Sequence, residues 1–198
     1  MTTHTTVHPS LDIKNNNLFL GYSHREHDIK SGKFSTANYH LIATPGENES
    51  EKKIKVISNH QFSDGDTTYY FEPSSDNKER RLMKLEDKWS LELLKKSVDT
   101  YKTIDGMEIY LKLKNQLKKH VKFESEIEYD IVSTWIIMSY FFPAFPAIPY
   151  LHIKAVKGSG KTTTLDFIKQ TAFNASKELA TYATMRDRID GQRGVFIV

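Results

Sequence analysis

Apolar positions fall into short runs in the first part of the chain and into spaced stripes further on. NLFLGY (17–22), NYHLIAT (38–44), KIKVIS (53–58) and TTYYFE (67–72) are rich in aromatic and β-branched residues. SGK, TPGENES and SDGD separate them and supply turn chemistry. The pattern predicts a small antiparallel, β-rich module over 18–72. Residues 1–17, MTTHTTVHPSLDIKNNN, are polar and predict a disordered lead-in. No internal repeat is legible.

From 73 to 125 the pattern becomes that of a helical linker region. PSSDNKERR (73–81) is wholly polar apart from its proline and reads as a linker. Leu91, Leu94, Val98 and Tyr101 then recur on one helical face, predicting a helix over about 90–101. A DG turn at 105–106 precedes a second helix near 107–121, whose stripe is Tyr110, Leu113, Leu117 and Val121. Its other face carries Lys112, Lys114, Lys118 and Lys119, read as solvated in preference to a nucleic-acid patch.

Beyond 126 the order is helix, strand, loop, helix. The run 126–142 is mostly apolar and predicts a helix buried on most sides. PAFPAIP follows as an extended connection, and YLHIKA (150–155) as a strand, although His152 and Lys154 are polar for a central parallel strand. Leu165, Ile168 and Ala172 put a helix over 162–173, closed by Asn174. ELATY (178–182) is a second short strand. Thr184 and Asp187 have the spacing of a capping box, opening a short helix that ends before Gly191. GVFIV (194–198) is wholly apolar and reads as a buried parallel strand.

Composition narrows this picture. The chain has 198 residues, enough for one ordinary domain or two small ones, and its 38% apolar residues suffice for a core. The net charge of +3 is mildly basic, compatible with DNA but first of all a solvated surface. Cysteine is absent, which excludes disulfides and thiolate zinc sites and fits a reducing, cytoplasmic setting. No signal-peptide pattern opens the sequence. Residues 131–151 carry no charge, but Pro143, Pro146 and Pro149 interrupt them, so a core helix is expected and not a membrane span. His24 and His27 could share a metal only with partners the pattern does not supply, and read as surface residues. Trp89 and Trp135 sit in apolar contexts and read as core.

The chemistry lies in AVKGSGKTTTL (155–165). Gly160, Lys161 and Thr162 complete the end of the pattern G-x-x-x-x-G-K-[ST]; Ala155 replaces the first glycine, and Gly158 is added. A phosphate chain must approach consecutive backbone N–H groups, which side chains at 158 and 160 would hinder. Lys161 would reach the outer phosphates, the Thr162 hydroxyl would ligate Mg²⁺, and Thr163 would donate to the α-phosphate. The expected binding residues for ATP are therefore Gly158, Ser159, Gly160, Lys161, Thr162 and Thr163. The acid that completes such a site follows a strand like GVFIV and would come at or after position 199. Asp187 and Asp190 precede that strand. The sequence thus reads as a fragment with no catalytic residue of its own, expected to bind nucleotide weakly and hydrolyse little.

The segment from Tyr129 to Val198, YDIVSTWIIMSYFF through GSGKT to RGVFIV, resembles the start of the ATPase domain in primase–helicase-like replication proteins of plasmids, viruses and mobile elements. The resemblance implies an α/β fold: a truncated P-loop NTPase parallel sheet with helices (126–198), preceded by the β-rich module and helical linker. It implies ATP and Mg²⁺ as cofactors, DNA as a candidate partner, and a homo-oligomer in the full-length parent. Arg186 falls where the family often has an arginine, without an assigned role. Two alternatives stay open. One is a small P-loop kinase or phosphotransferase, for which Arg186 and Arg188 are candidate lid residues. The other is a non-catalytic nucleotide-binding module.

Overall fold

The computed structural model describes residues 3–28, 32–44, 53–71, 83–84, 105–156, 158–177 and 193–197, together with isolated residues 46, 92, 96, 181–183 and 185–186. It is a mixed α/β protein whose chain divides into two compact units. The first comprises Met1–Lys102 with Gly191–Arg193, and the second Thr103–Asp190 with Gly194–Val198.

In the first unit the chain runs through β1 (Thr3–Val7), β2 (Leu11–Lys14), β3 (Asn17–Asp28), β4 (Lys33–Thr44), β5 (Lys53–Ile57), β6 (Gln61–Asp64), β7 (Thr67–Phe71) and β8 (Met83–Lys84). One sheet has the order β2-β3-β4-β5, with β8 also paired to β3, and the other β1-β7-β6. The lead-in expected to be disordered therefore contributes β1 and β2. Apolar alternation is weak in THTTV and LDIK, but Val7 and Leu11 are buried and anchor the two strands. The pairing is antiparallel as expected, except that β1–β7 and β3–β8 are parallel.

The first unit contains a repeat that residue identity does not reveal. β1–β2 and the start of β3 recur fifty positions on as β5–β6–β7. Lys14 opposite Asn17 corresponds to Asp64 opposite Thr67, and Leu11 opposite Leu20 to Gln61 opposite Tyr70. The bond from the Gly21 N–H to the Ser10 carbonyl (3.0 Å) has its counterpart from the Phe71 N–H to the His60 carbonyl (3.1 Å). No residue is identical between 3–21 and 53–71. What the copies share is chemistry at key positions: a β-branched strand end (Val7, Ile57), a tight turn (Asn15-Asn16, Gly65-Asp66) and an aromatic three residues after it (Phe19, Tyr69). The equivalent Phe19 and Tyr69 rings meet at 4.9 Å in the core, with Val7, Ile42 and Phe71 around them. The Tyr69 hydroxyl accepts from the Asn15 and Asn17 amides at 3.1 and 3.2 Å, tying the first copy's turn to the second copy's last strand.

The second unit is mainly helical: α1 (Gly106–His120), α2 (Glu126–Met138), a single 3₁₀ turn (Phe142–Ala144) and α3 (Lys161–Thr171), with β9 (Ser176–Lys177) and β10 (Phe196–Ile197). Asp105 caps α1 by accepting from the Met107 N–H, and Ser125 with Glu128 forms a reciprocal capping box on α2. The stripe predicted for α1 does turn inward: Leu117 and Val121 are buried, and Leu113 packs beside them. They meet Val132 and Ile136 of α2, Ile168 and Ala172 at α3, and Ile197. Of the lysines expected to be solvated, Lys114 is instead half-buried, paired with Glu126 (3.2 Å) and Asp130. Lys118 pairs with Glu126 at 2.6 Å.

Several expectations shift. The helix forecast for 126–142 stops at Met138, ahead of Pro143, and Ile127 and Ile131 face outward, so α2 is not buried on most sides. Trp135 is half-buried and donates its indole N–H to the Pro149 carbonyl at 2.9 Å. Among the described residues no helix is long and apolar enough to cross a membrane. Residues 150–155 alternate like a strand, with Leu151 and Ile153 packing on the core and His152 and Lys154 outward, yet among the described residues no strand pairs with them. The parallel sheet expected around the loop is not seen among the described residues; the parallel pairing in this unit is the two-residue pair β9–β10. There Gly194 permits a close approach: a Cβ on it would lie 2.4 Å from the Asn174 carbonyl oxygen. The helix expected over 90–101 lies outside the described residues apart from helical Glu92 and Lys96. So do Trp89, Thr184, Asp187, Arg188, Asp190 and residues 178–180; of the strand expected over 178–182 only Thr181 and Tyr182 are described, and Tyr182 is helical.

Candidate functional site

The segment singled out in the sequence forms a tight loop running straight into α3. The Ser159 N–H donates to the Val156 carbonyl at 3.2 Å, and the Ser159 hydroxyl donates to the same oxygen at 2.7 Å. Gly158 and Gly160 on either side have φ of 85° and 86°. That left-handed conformation strains any residue with a side chain, which explains both glycines. Nothing lies within 4 Å of the place a Cβ would occupy on either one. The space beside both is therefore open, so a ligand can come against bare backbone.

Gly160 is also the N-cap of α3, and no side chain caps that end. The first intrahelical bond runs from the Thr164 N–H to the Gly160 carbonyl at 3.0 Å. The N–H groups of Lys161, Thr162 and Thr163 are thus left without an intrahelical acceptor, at the positive end of the helix dipole. All three side chains are exposed. Among the described residues the Lys161 ammonium has no acidic partner. Thr164 differs from its neighbours: it is buried and its hydroxyl donates back to the Gly160 carbonyl at 3.1 Å, pinning the loop to the helix. All six residues expected from the sequence, 158–163, thus sit together in one turn. Thr164, which packs the turn, was missed; its helical spacing to Ile168 and Ala172 on the buried face of α3 is the signal that could have found it.

The loop opens onto a cavity of about 600 Å³. Ser159, Lys161 and Thr164 line part of it; Phe123, Glu124, Ile131 and Leu151 line other parts. That volume lies in the range of small-molecule sites. None of Lys122, Phe123 and Glu124 stood out in the sequence, because no motif marks them.

The connection bearing Phe123 and Glu124 is held firmly. The Tyr129 hydroxyl accepts from the Phe123 N–H at 2.8 Å and donates to the Val121 carbonyl at 3.1 Å. The Phe123 and Tyr129 rings pack at 4.8 Å. On the α1–α2 seam, Lys114 and Tyr110 both bond to Asp130 and hold its carboxyl below the usual carboxylate range, Lys114 contributing most. Lys118, then Lys114, do the same for Glu126.

The other sequence candidates do not join this site. His24 and His27 lie in β3, in the other unit. Arg186 is exposed in a helical stretch. No group of three His, Cys, Asp or Glu among the described residues could hold a metal ion. The chain matches no family model, no curated protein and no solved structure.

Proposed function

We propose that the chain binds a nucleoside triphosphate, ATP foremost, through residues 158–163. The observation that carries the reading is the loop's conformation: two left-handed glycines with open space beside them, leading into an uncapped helix end. Such an arrangement offers backbone N–H donors and a dipole to an anionic chain. Lys161 adds a point charge for the outer phosphates. Mg²⁺ would arrive with the nucleotide, held by phosphate oxygens and the Thr162 hydroxyl, since the described residues provide no cage for a free ion. Bound ATP supplies a phosphoanhydride; the chain's own part is to grip and orient the triphosphate.

The resemblance of 129–198 to replication ATPases extends the proposal to a P-loop ATPase of the helicase type that acts on DNA. The kinase and non-catalytic readings share the binding step and part from it afterwards. The test is equilibrium binding of a fluorescent ATP analogue with and without Mg²⁺. Lys161→Ala is expected to weaken binding at least tenfold, the loss of roughly one charge-assisted contact. Equal affinity in the two proteins would overturn the reading. Binding of single-stranded DNA that depends on ATP would support the helicase-type role, whereas phosphoryl transfer to a small acceptor would replace it with the kinase.

A further inference from the structure

We propose that the cavity beside the loop is a base-selecting site, in which Glu124 recognises a nucleobase bearing an exocyclic amine. The inference rests on the phosphate-loop reading above and adds to it the part of the ligand that the loop does not touch. The same cavity is lined by Ser159 and Lys161 at the loop and by Phe123, Glu124, Ile131 and Leu151 elsewhere. A triphosphate needs only the first pair. The apolar groups suit a flat, weakly solvated ring, and the carboxylate suits a hydrogen-bond donor on its edge.

Two features make Glu124 the selecting group. Among the described residues its carboxylate has no hydrogen-bond or ion-pair partner, whereas Glu128, also on the cavity, already accepts from the Ser125 N–H at 2.9 Å. In addition, Glu124 stands on a connection fixed at both sides, by the Tyr129 hydroxyl bridge before it and the Ser125 capping box after it. The backbone that carries Glu124 is thus preorganised, and binding has only to order its exposed side chain. A carboxylate accepts but does not donate, so one that faces position 6 bonds the amino group of adenine and is repelled by the carbonyl of hypoxanthine.

The experiment compares ATP, ITP and inorganic tripolyphosphate, each with Mg²⁺, by isothermal titration calorimetry. The wild type is expected to bind ATP about tenfold more tightly than ITP. Glu124→Ala should bring that ratio to about twofold or less without weakening tripolyphosphate binding. A second variant, Ile131→Trp, fills the cavity from an exposed position on α2 and should lower ATP affinity toward that of tripolyphosphate. If ATP and ITP bind equally to the wild type, or if Glu124→Ala preserves the preference, base selection is overturned. Should tripolyphosphate still bind in a Lys161-dependent way in that case, the phosphate loop stands alone. If no ligand shows dependence on Lys161, both readings fall together.

Discussion

At the scale of single residues, backbone conformation and burial decide more than residue type. Gly160 has φ of 86° and no neighbour within 4 Å of a would-be Cβ. Gly160→Ala therefore costs conformational strain and not crowding, about 1–2 kcal/mol in the free protein. Its melting temperature should fall by a few degrees, with a larger proportional loss of ATP affinity, because the new methyl occupies the open side of the loop. Unchanged binding would place the phosphates elsewhere. His40 makes the contrasting case. It is buried, stacks on Phe71 at 3.6 Å, and neither ring nitrogen has a hydrogen-bond partner among the described residues. Burial, and secondarily His60, pushes it down to about 4. The unfolded chain thus takes up a proton near pH 6.5 that the folded chain refuses until about pH 4. The stability tied to neutral His40 is complete above pH 6.5 and drains away as pH falls through that window, on the order of 3 kcal/mol in all. Urea titrations at about pH 7 and about pH 4.5 should show this loss, and His40→Phe should remove most of the pH dependence. Period-two alternation already put His40 on the face of buried Ile42, a signal that the polar character of histidine obscured.

At the scale of elements, turns and seams carry what the hydrophobic pattern leaves open. The β2–β3 hairpin closes through Asn15 and Asn16 with φ of 49° and 62°, the turn geometry that favours Asn and Gly. Asn16 is exposed, so Asn16→Gly should raise the melting temperature slightly and Asn16→Val lower it, the β-branched side chain resisting positive φ. An unaltered Val variant would mean the turn does not set the register. The α1–α2 seam converges on Asp130, which takes Tyr110 and Lys114 together. Asp130→Ala should lower the melting temperature, and the difference from wild type should narrow at high salt and below the usual carboxylate range, where Asp130 is protonated. The helices could be read from sequence because long amphipathic stripes such as Leu113–Leu117–Val121 have a period no strand shares. β1, β2 and β6 could not, since THTTV, LDIK and QFSD are short and polar, and β1 owes its pairing to β7, far along the chain. The repeat was hidden for the same reason: its copies share turn geometry and core volume, which identity does not measure. The loop 158–163 was legible because its chemistry is local, whereas Phe123 and Glu124 reach the same cavity only through the packing of α2.

At the scale of the whole molecule, the chain builds separate hydrophobic cores that share no residue, one set among β1–β7 and another among α1, α2, α3 and Ile197. The candidate site is made entirely from the second unit. A ligand stabilises the state that binds it by mass action, about 2.7 kcal/mol at a hundred times its dissociation constant. That stabilisation reaches an amide only if the opening that exposes it also destroys the site. Amide exchange with saturating ATP and Mg²⁺ should therefore slow at the core positions of α2 and α3, such as Ile136 and Ile168, by up to about a hundredfold. Amides in the β3–β4 ladder should keep their rates, since their opening breaks a different core. In Lys161→Ala the slowing should vanish from α2 and α3 under the same ligand concentration. Equal protection across β3–β4 would mean that both cores open in one step and that the chain behaves as a single cooperative body; no protection anywhere, despite measured binding, would move the ligand off the loop.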